Sequence, residues 1–459
     1  MTQQTEHAFD WNGFFFCIKI CVGTLLIAAS GYYGFVYAQK IFAAPPIPSE
    51  APQTVAPVNE KKFSTSTPQR IINRLTIPEA VPKTGKFIAA DLTEMQVTLY
   101  QDGAPLAVYP IATKGRPGTP WETPAGFYAV ETKERDHFSS LSRVHMPYSM
   151  QFYGNYFIHG WPYYPDGTPV ASTFSGGCIR LNTGDAEKVF AFADRGTGLF
   201  VYDAQKTTDM APLTITANER PLLSAQGYLV ADLDTGSVYL EQDAAIPRNL
   251  GSITKLMSAL VANETINFEA RLAVPGNALA PDGSLSSASL VFSVEDLLYP
   301  LILQSNDAVA DMLAKRHGTA QFVRWMNTAA KALGMEQTAF IDARGNGNTG
   351  TPDDVFRLLT YLANKKSFVV EIMRTKSKTI TAQDGKKVVI TPLDANAASV
   401  VTLSLGGNTR RIAIIVLESA DQKKDLETLM AWITKGAKNP DNTACATCAF
   451  PQTYREIEL

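Results

Sequence analysis

Cys178 lies in the run Ser175-Gly176-Gly177-Cys178-Ile179-Arg180-Leu181, downstream of an isolated Ile158-His159-Gly160. A thiolate is the strong nucleophile among ordinary side chains, but a free thiol is mostly protonated near neutral pH and needs a base beside it. His159 is the candidate base. The separation, 178 − 159 = 19 residues, lets one strand carry the histidine, a loop turn back and a neighbouring element present the cysteine. Gly176 and Gly177 allow backbone N–H groups to crowd the thiol, as an oxyanion hole requires. Together these residues point to acyl-transfer chemistry.

A second constellation is Ser252-Ile253-Thr254-Lys255. Three residues apart at the start of a helix, serine and lysine share one face, so the amine could take the hydroxyl proton. Cys445-Ala446-Thr447-Cys448 allows a zinc, a redox or a disulfide reading. Two ligands do not make a zinc site and no βαβ context surrounds the pair, so a local Cys445–Cys448 disulfide is expected. No metal site is expected. The formal charge of −3 and the lack of a basic block recommend no nucleic-acid partner.

The 459 residues exceed one ordinary core, and the pattern divides them. Residues 14–38 are apolar apart from Lys19, and the 19 residues from Ile20 to Ala38 carry no charge, the length of a membrane-spanning helix. We expect a transmembrane anchor over 1–42; a signal peptide cleaved after Val36-Tyr37-Ala38 is the rival. Residues 43–84 are rich in Pro, Ser and Thr and are expected to be an extended linker, with a root-mean-square span of roughly 35 Å if disordered. Period-two alternation then flanks Asp102-Gly103, a hairpin signal, and only Asp185–Asp194 reads as a helix up to residue 203. A mostly-β domain is expected over 85–203. After a linker over 204–224, an α/β (α+β) domain is expected over 225–436. It opens with a hairpin around Asp234-Thr235-Gly236, and Ser293 with Asp296 and Thr351-Pro352 mark helix starts. A tail over 437–459 carries the cysteine pair.

Taken with Thr123-Pro124-Ala125-Gly126-Phe127-Tyr128 and Met146-Pro147-Tyr148-Ser149-Met150, the His159 and Cys178 segments resemble the catalytic domain of the L,D-transpeptidases of bacterial cell walls. The resemblance implies that Cys178 attacks a peptide carbonyl, that His159 takes its proton, that a main-chain carbonyl at Gly160 orients the imidazole, and that Arg180 helps hold a substrate carboxylate. It further implies peptidoglycan stem peptides as substrate, 3-3 cross-links as product, acylation of the thiol by carbapenems, no cofactor, and an extracytoplasmic location. One position departs from the pattern: the family's S-H-G-C reads Ser175-Gly176-Gly177-Cys178 here, so a histidine contribution to substrate or oxyanion binding is missing.

Residues 225–264, 296–314 and 322–362 resemble the D-alanyl-D-alanine carboxypeptidase domain of low-molecular-mass penicillin-binding proteins, of the β-lactamase-like fold. Against the family's S-G-N-D-A this chain has Gln304-Ser305-Asn306-Asp307-Ala308, with Ser305 and Asn306 adjacent, and Thr391-Pro392-Leu393 precedes the strand where Lys-Thr-Gly is expected. The Ser252, Lys255, Ser305, Asn306 site is therefore expected to be degenerate. An active D,D-carboxypeptidase through Ser252, which would make the protein bifunctional, and a non-catalytic peptidoglycan-binding protein are the alternatives.

Overall fold

The computed structural model describes residues 70–71, 76–204, 210–216, 219–279, 285–392, 398–405 and 408–438. The apolar segment expected to anchor the chain and the Cys445/Cys448 pair lie outside the described residues. Among the described residues no helix is long and apolar enough to cross a membrane.

The first domain is β-rich. Nine strands form one sheet: β2 (Lys86–Asp91), β3 (Gln96–Gln101), β4 (Ala104–Thr113), β5 (Gly126–Ala129), β6 (Thr132–Ser139), β7 (Val144–Tyr153), β8 (Tyr156–His159), β9 (Ile179–Leu181) and β10 (Gly198–Tyr202). Their order is β5-β10-β2-β3-β4-β9-β8-β7-β6. All neighbours are antiparallel except β10 with β2 and β8 with β9. The β3–β4 turn explains its own sequence: Asp102 and Gly103 have φ of 51° and 80°, the pair of positive angles a tight hairpin needs. The domain's helix α1 spans Thr183–Phe192, two residues earlier at each end than the pattern suggests. Ala193 is already extended and closes it.

The second domain has a sheet containing β11 (Gly227–Asp232), β12 (Ser237–Gln242), β13 (Ala398–Leu405) and β14 (Asn408–Leu417). Every pairing in it is antiparallel, so the arrangement is α+β rather than alternating α/β. Around it pack α2 (Thr254–Thr265), α3 (Val294–Leu303), α4 (Asp307–Lys315), α5 (Thr319–Ala332), α6 (Pro352–Lys365), α7 (Ser367–Met373) and α8 (Gln422–Gly436). Helix starts follow the sequence signals: the Ser293 side chain accepts from Asp296 N and the Thr351 side chain from Asp354 N. Helix α2 is buried along its whole length.

Two features go beyond the sequence reading. Within the stretch expected to be linker, β1 (Arg70–Ile71) pairs with β12 as an edge strand of the second domain's sheet. Arg70 fixes it there through Glu241, 2.5 Å away, and Asp353, so two charges offset the disorder that the local composition favours. Second, one apolar core runs through both domains, from Ile88, Tyr153, Ile158 and Ile179 to Leu229, Met257 and Leu260. The described residues all fall within a single compact unit.

Candidate functional site

Strands β8 and β9 run parallel with Ile158 opposite Ile179 and His159 opposite Arg180. Side chains alternate along a strand, so Ile158 and Ile179 face the core while His159 and Arg180 share the other face. Phe157 and Cys178 lie on that face as well, and the thiol packs against the cluster of Val144, Met146, Phe157 and Val170. The 19-residue spacing is thus closed by one parallel strand pair.

His159 is buried, and its Nδ1 donates to the Gly160 carbonyl oxygen at 2.6 Å. A carbonyl can only accept, so Nδ1 carries the proton and Nε2 presents a lone pair. Burial pushes the imidazole down to about 3, against the pull of that hydrogen bond, with the charge of Arg180 and His137 lowering it further. Burial pushes the Cys178 thiol up to about 11, while the Phe157 backbone and the Arg180 charge favour the thiolate. The thiol donates to the Asn155 carbonyl at 3.7 Å. At rest both groups are therefore neutral, a thiol whose hydrogen goes to Asn155 and an imidazole protonated at Nδ1. Although the residue is only half-buried by surface area, the protein crowds its sulfur closely.

The loop before Cys178 is held from inside. Ser175 Oγ donates to the Cys178 carbonyl at 2.5 Å and accepts from Gly177 N at 3.1 Å. That bond commits the Gly177 N–H and removes it from the expected oxyanion donors. Gly177 has φ +107°, and a Cβ there would lie 2.2 Å from Tyr156 Cε1, so the loop needs glycine at 177. A Cβ at Gly176 would meet nothing within 4 Å. Arg180 is buried; Nη1 donates to the Ser172 carbonyl at 3.2 Å, while Nε has no partner. This donor is shielded from solvent on the face of the thiol, so it keeps a positive charge beside the sulfur.

Nothing in the sequence pattern singles out four other participants. His137 lies against Phe157 with ring centroids 4.8 Å apart and pairs with Glu134, bringing a second imidazole to this face where residue 176 has none. Tyr156 floors the Gly177 turn. Asn155 receives the thiol's hydrogen, and Trp121 O closes on Gly115 and Gly177 from behind. Among the described residues no group of three or more His, Cys, Asp or Glu side chains is placed to hold a metal.

The second constellation is arranged differently. Ser252 lies in the single 3₁₀ turn Gly251–Ile253 that leads into α2, and Lys255 is buried in the first turn of that helix. The amine donates to the Arg344 carbonyl and to Asp307 Oδ1 at 2.7 Å, so it is set as a donor where a general base must accept. Asn306 caps α4: its Oδ1 accepts from Val309 N at 3.1 Å and its amide donates to Ala278 O at 2.6 Å. Both ends of that side chain are occupied, while Ser305 is held at φ 47°. Thr391 and Pro392 lie outside any strand, and β13 begins only at Ala398.

Comparison with known proteins finds a family match within each domain. Residues 85–202 match the L,D-transpeptidase catalytic domain, and residues 214–408 match D-alanyl-D-alanine carboxypeptidase. A D-alanyl-D-alanine carboxypeptidase from Streptomyces is 26% identical over 262 residues, 51% of this chain and 90% of that protein. A D-alanyl-D-alanine endopeptidase from Haemophilus influenzae is 30% identical over 149 residues, 31% of this chain and 51% of that protein. The crystal structure of a D-alanyl-D-alanine carboxypeptidase from Mycobacterium tuberculosis aligns with TM-score 0.39 at 22% identity, covering 50% of this chain and 95% of that one. The chain joins an L,D-transpeptidase catalytic domain to a domain of the D-alanyl-D-alanine carboxypeptidase family.

Proposed function

We propose that the protein is a peptidoglycan L,D-transpeptidase that forms 3-3 cross-links through a thioester on Cys178. His159 Nε2 takes the thiol proton as sulfur attacks the carbonyl between the diamino acid and the terminal D-alanine of a stem tetrapeptide. The amides of Gly176 and Cys178 receive the developing oxyanion, and Arg180 helps hold a substrate carboxylate. The C–N bond breaks, the imidazolium gives its proton to the departing amine, and D-alanine leaves. An acceptor amine then attacks the thioester, its proton passes to His159, and the sulfur leaves to recover the thiol. Water in place of the amine gives carboxypeptidase activity. The chemistry uses only side chains and backbone.

The observation that carries this reading is the His159 Nδ1–Gly160 bond, which turns the basic nitrogen out on the face shared by Cys178 and the unpartnered Arg180 Nε. Mass spectrometry of stem peptides incubated with the protein tests it: cross-linked dimer and released D-alanine with the parent, neither with Cys178→Ala. Turnover by a clean Cys178→Ala preparation would refute it. A carbapenem is expected to add one mass equivalent, on the Cys178 peptide.

The family match over 214–408 and the Streptomyces relative favour a second reading, a D,D-carboxypeptidase working through Ser252. The donor role of Lys255 and the occupied Asn306 amide favour a degenerate serine site instead. Stoichiometric labelling of Ser252 by penicillin would decide for the second reading. An extracytoplasmic location belongs to the proposal as well, supported by the uncharged stretch from Ile20 to Ala38.

A further inference from the structure

The back of the nucleophile loop is built partly from the second domain. Helix α2 starts beside Ser252 and ends at Thr265, about 18 Å away at 1.5 Å per residue. At that end the Thr265 carbonyl accepts from Asn155 Nδ2 at 3.0 Å, and Asn155 is the residue whose own carbonyl receives the Cys178 thiol. Gly154, in the same turn, fits against Thr265 so closely that a Cβ would lie 3.0 Å from its Cγ2.

A second attachment lies on the other side of the loop. Lys366, in the joint between α6 and α7, has a fully buried side chain. Its Nζ donates to the carbonyls of Pro120 and Glu122, 3.2 Å each, in the first domain. Those two carbonyls flank Trp121, whose own oxygen presses on Gly115 and Gly177. Lys365 adds ion pairs to Glu122 at 3.2 Å and to Asp203.

Between the two attachments lies Glu264, buried, with Tyr361 donating to its Oε1 at 3.1 Å and Lys366 Nζ 3.9 Å away. Tyr153, whose hydroxyl has no well-aligned partner, and Tyr156 complete the surround. The Tyr153 and Tyr156 rings are stacked at 6.3 Å, and Tyr156 is the floor under Gly177. Burial raises Glu264 and lowers Lys366. A buried arrangement of this kind holds its members to one geometry, because breaking either side leaves an unpaired polar group in the core.

We propose that Thr265 and Lys366 of the carboxypeptidase-type domain are positioning residues for Cys178, Thr265 acting through Asn155 and Lys366 through the Pro120–Glu122 loop. The L,D-transpeptidase-type site is thus completed by the neighbouring domain. This rests on reading Cys178 as the nucleophile. The charged or titratable groups facing the thiol are Arg180 and Tyr156 from the first domain, with His159 on the same strand face.

The test uses the full chain and the variants Asn155→Ala and Lys366→Met. Two quantities are measured: the pH profile of iodoacetamide alkylation at Cys178, followed on the Cys178 peptide by mass spectrometry, and kcat and KM for D-alanine release. In each variant the thiol becomes better hydrated. The alkylation midpoint should fall by about one pH unit from the parent value near 11, a roughly tenfold faster reaction at pH 8. The kcat should drop about tenfold with KM within about twofold. These opposite signs separate positioning from a general loss of structure, which circular dichroism monitors. If one variant fails to fold, the other decides. An unmoved midpoint in a folded variant overturns the proposal, as does a moved midpoint with unchanged kcat. If the parent itself releases no D-alanine, the reading of function fails, and the midpoint alone then decides whether the second domain sets the thiol.

Discussion

Replacing Gly177 by alanine probes the nucleophile loop at its tightest point. The new Cβ would lie 2.2 Å from Tyr156 Cε1, 2.8 Å from Cδ1 and 3.2 Å from Trp121 O. Carbon atoms rest at about 3.5–4.0 Å, so the ring or the loop must move by roughly 1.3 Å or more. The ring has little room, because Tyr156 is buried and stacked on Tyr153 with an interplanar angle of 4°. Overpacking of this kind costs about 1–3 kcal/mol, and a side chain held at φ +107° adds about 1–3 kcal/mol. The loss of stability is thus about 2–6 kcal/mol, a clear fall in Tm. Displacement of the thiol by about 1 Å should lower the rate of D-alanine release about a hundredfold. Gly176→Ala is the control: its Cβ meets nothing within 4 Å, so activity should stay within about threefold. Initial rates on a stem tetrapeptide, with thermal denaturation followed by circular dichroism, read both quantities. A Gly177→Ala protein with parental Tm and a rate within threefold would refute the account of the loop.

The resting thiol should be slow toward generic electrophiles: alkylation of Cys178 should rise about tenfold per pH unit from 7 to 10 and level off near 11, and a midpoint near 8.5 would show that the site is not desolvated. Because the proton sits on sulfur until substrate binds, sluggish alkylation is no argument against catalysis. His159 is neutral far below its ordinary range, so D-alanine release should show no acid limb near pH 6.5; such a limb in kcat/KM would place the base elsewhere. Ser252→Ala should leave L,D-transpeptidation within about threefold, and the parent should bind fluorescent penicillin weakly; stoichiometric labelling lost in Ser252→Ala would revive the serine site.

The parts of the site legible in the sequence are local. His159, Cys178 and Arg180 stand within a few residues of their glycines, and one strand pair brings them together. The turn at Asp102-Gly103 and the caps at Ser293 and Thr351 carry their geometry in their residue types. Illegible were contacts made across more than a hundred residues. Nothing near Lys366 in sequence marks it, yet its side chain is fully buried because carbonyls 244 and 246 residues away accept its hydrogens. Arg70–Ile71 reads as linker because nothing nearby in sequence reveals that Glu241 and Asp353 hold the arginine. The fate of the Gly177 amide depends on which way the Ser175 hydroxyl turns, which residue type alone does not dictate.

The staple at Lys366 also has a temporal consequence. A chain made from its amino end at about 5–20 residues per second completes the first domain's strands, at Tyr202, some ten to thirty seconds before Lys366 emerges. Until Thr265 is made the turn at Gly154–Asn155 has no second-domain partner, and until Lys366 is made the Pro120–Glu122 carbonyls lack theirs. A nascent or truncated chain ending before residue 366 would hold every residue assigned to the cysteine chemistry and still lack the finished setting of the thiol. Ripening of the nucleophile is thereby tied to the completion of the polypeptide, so that an incomplete chain is also an unready one.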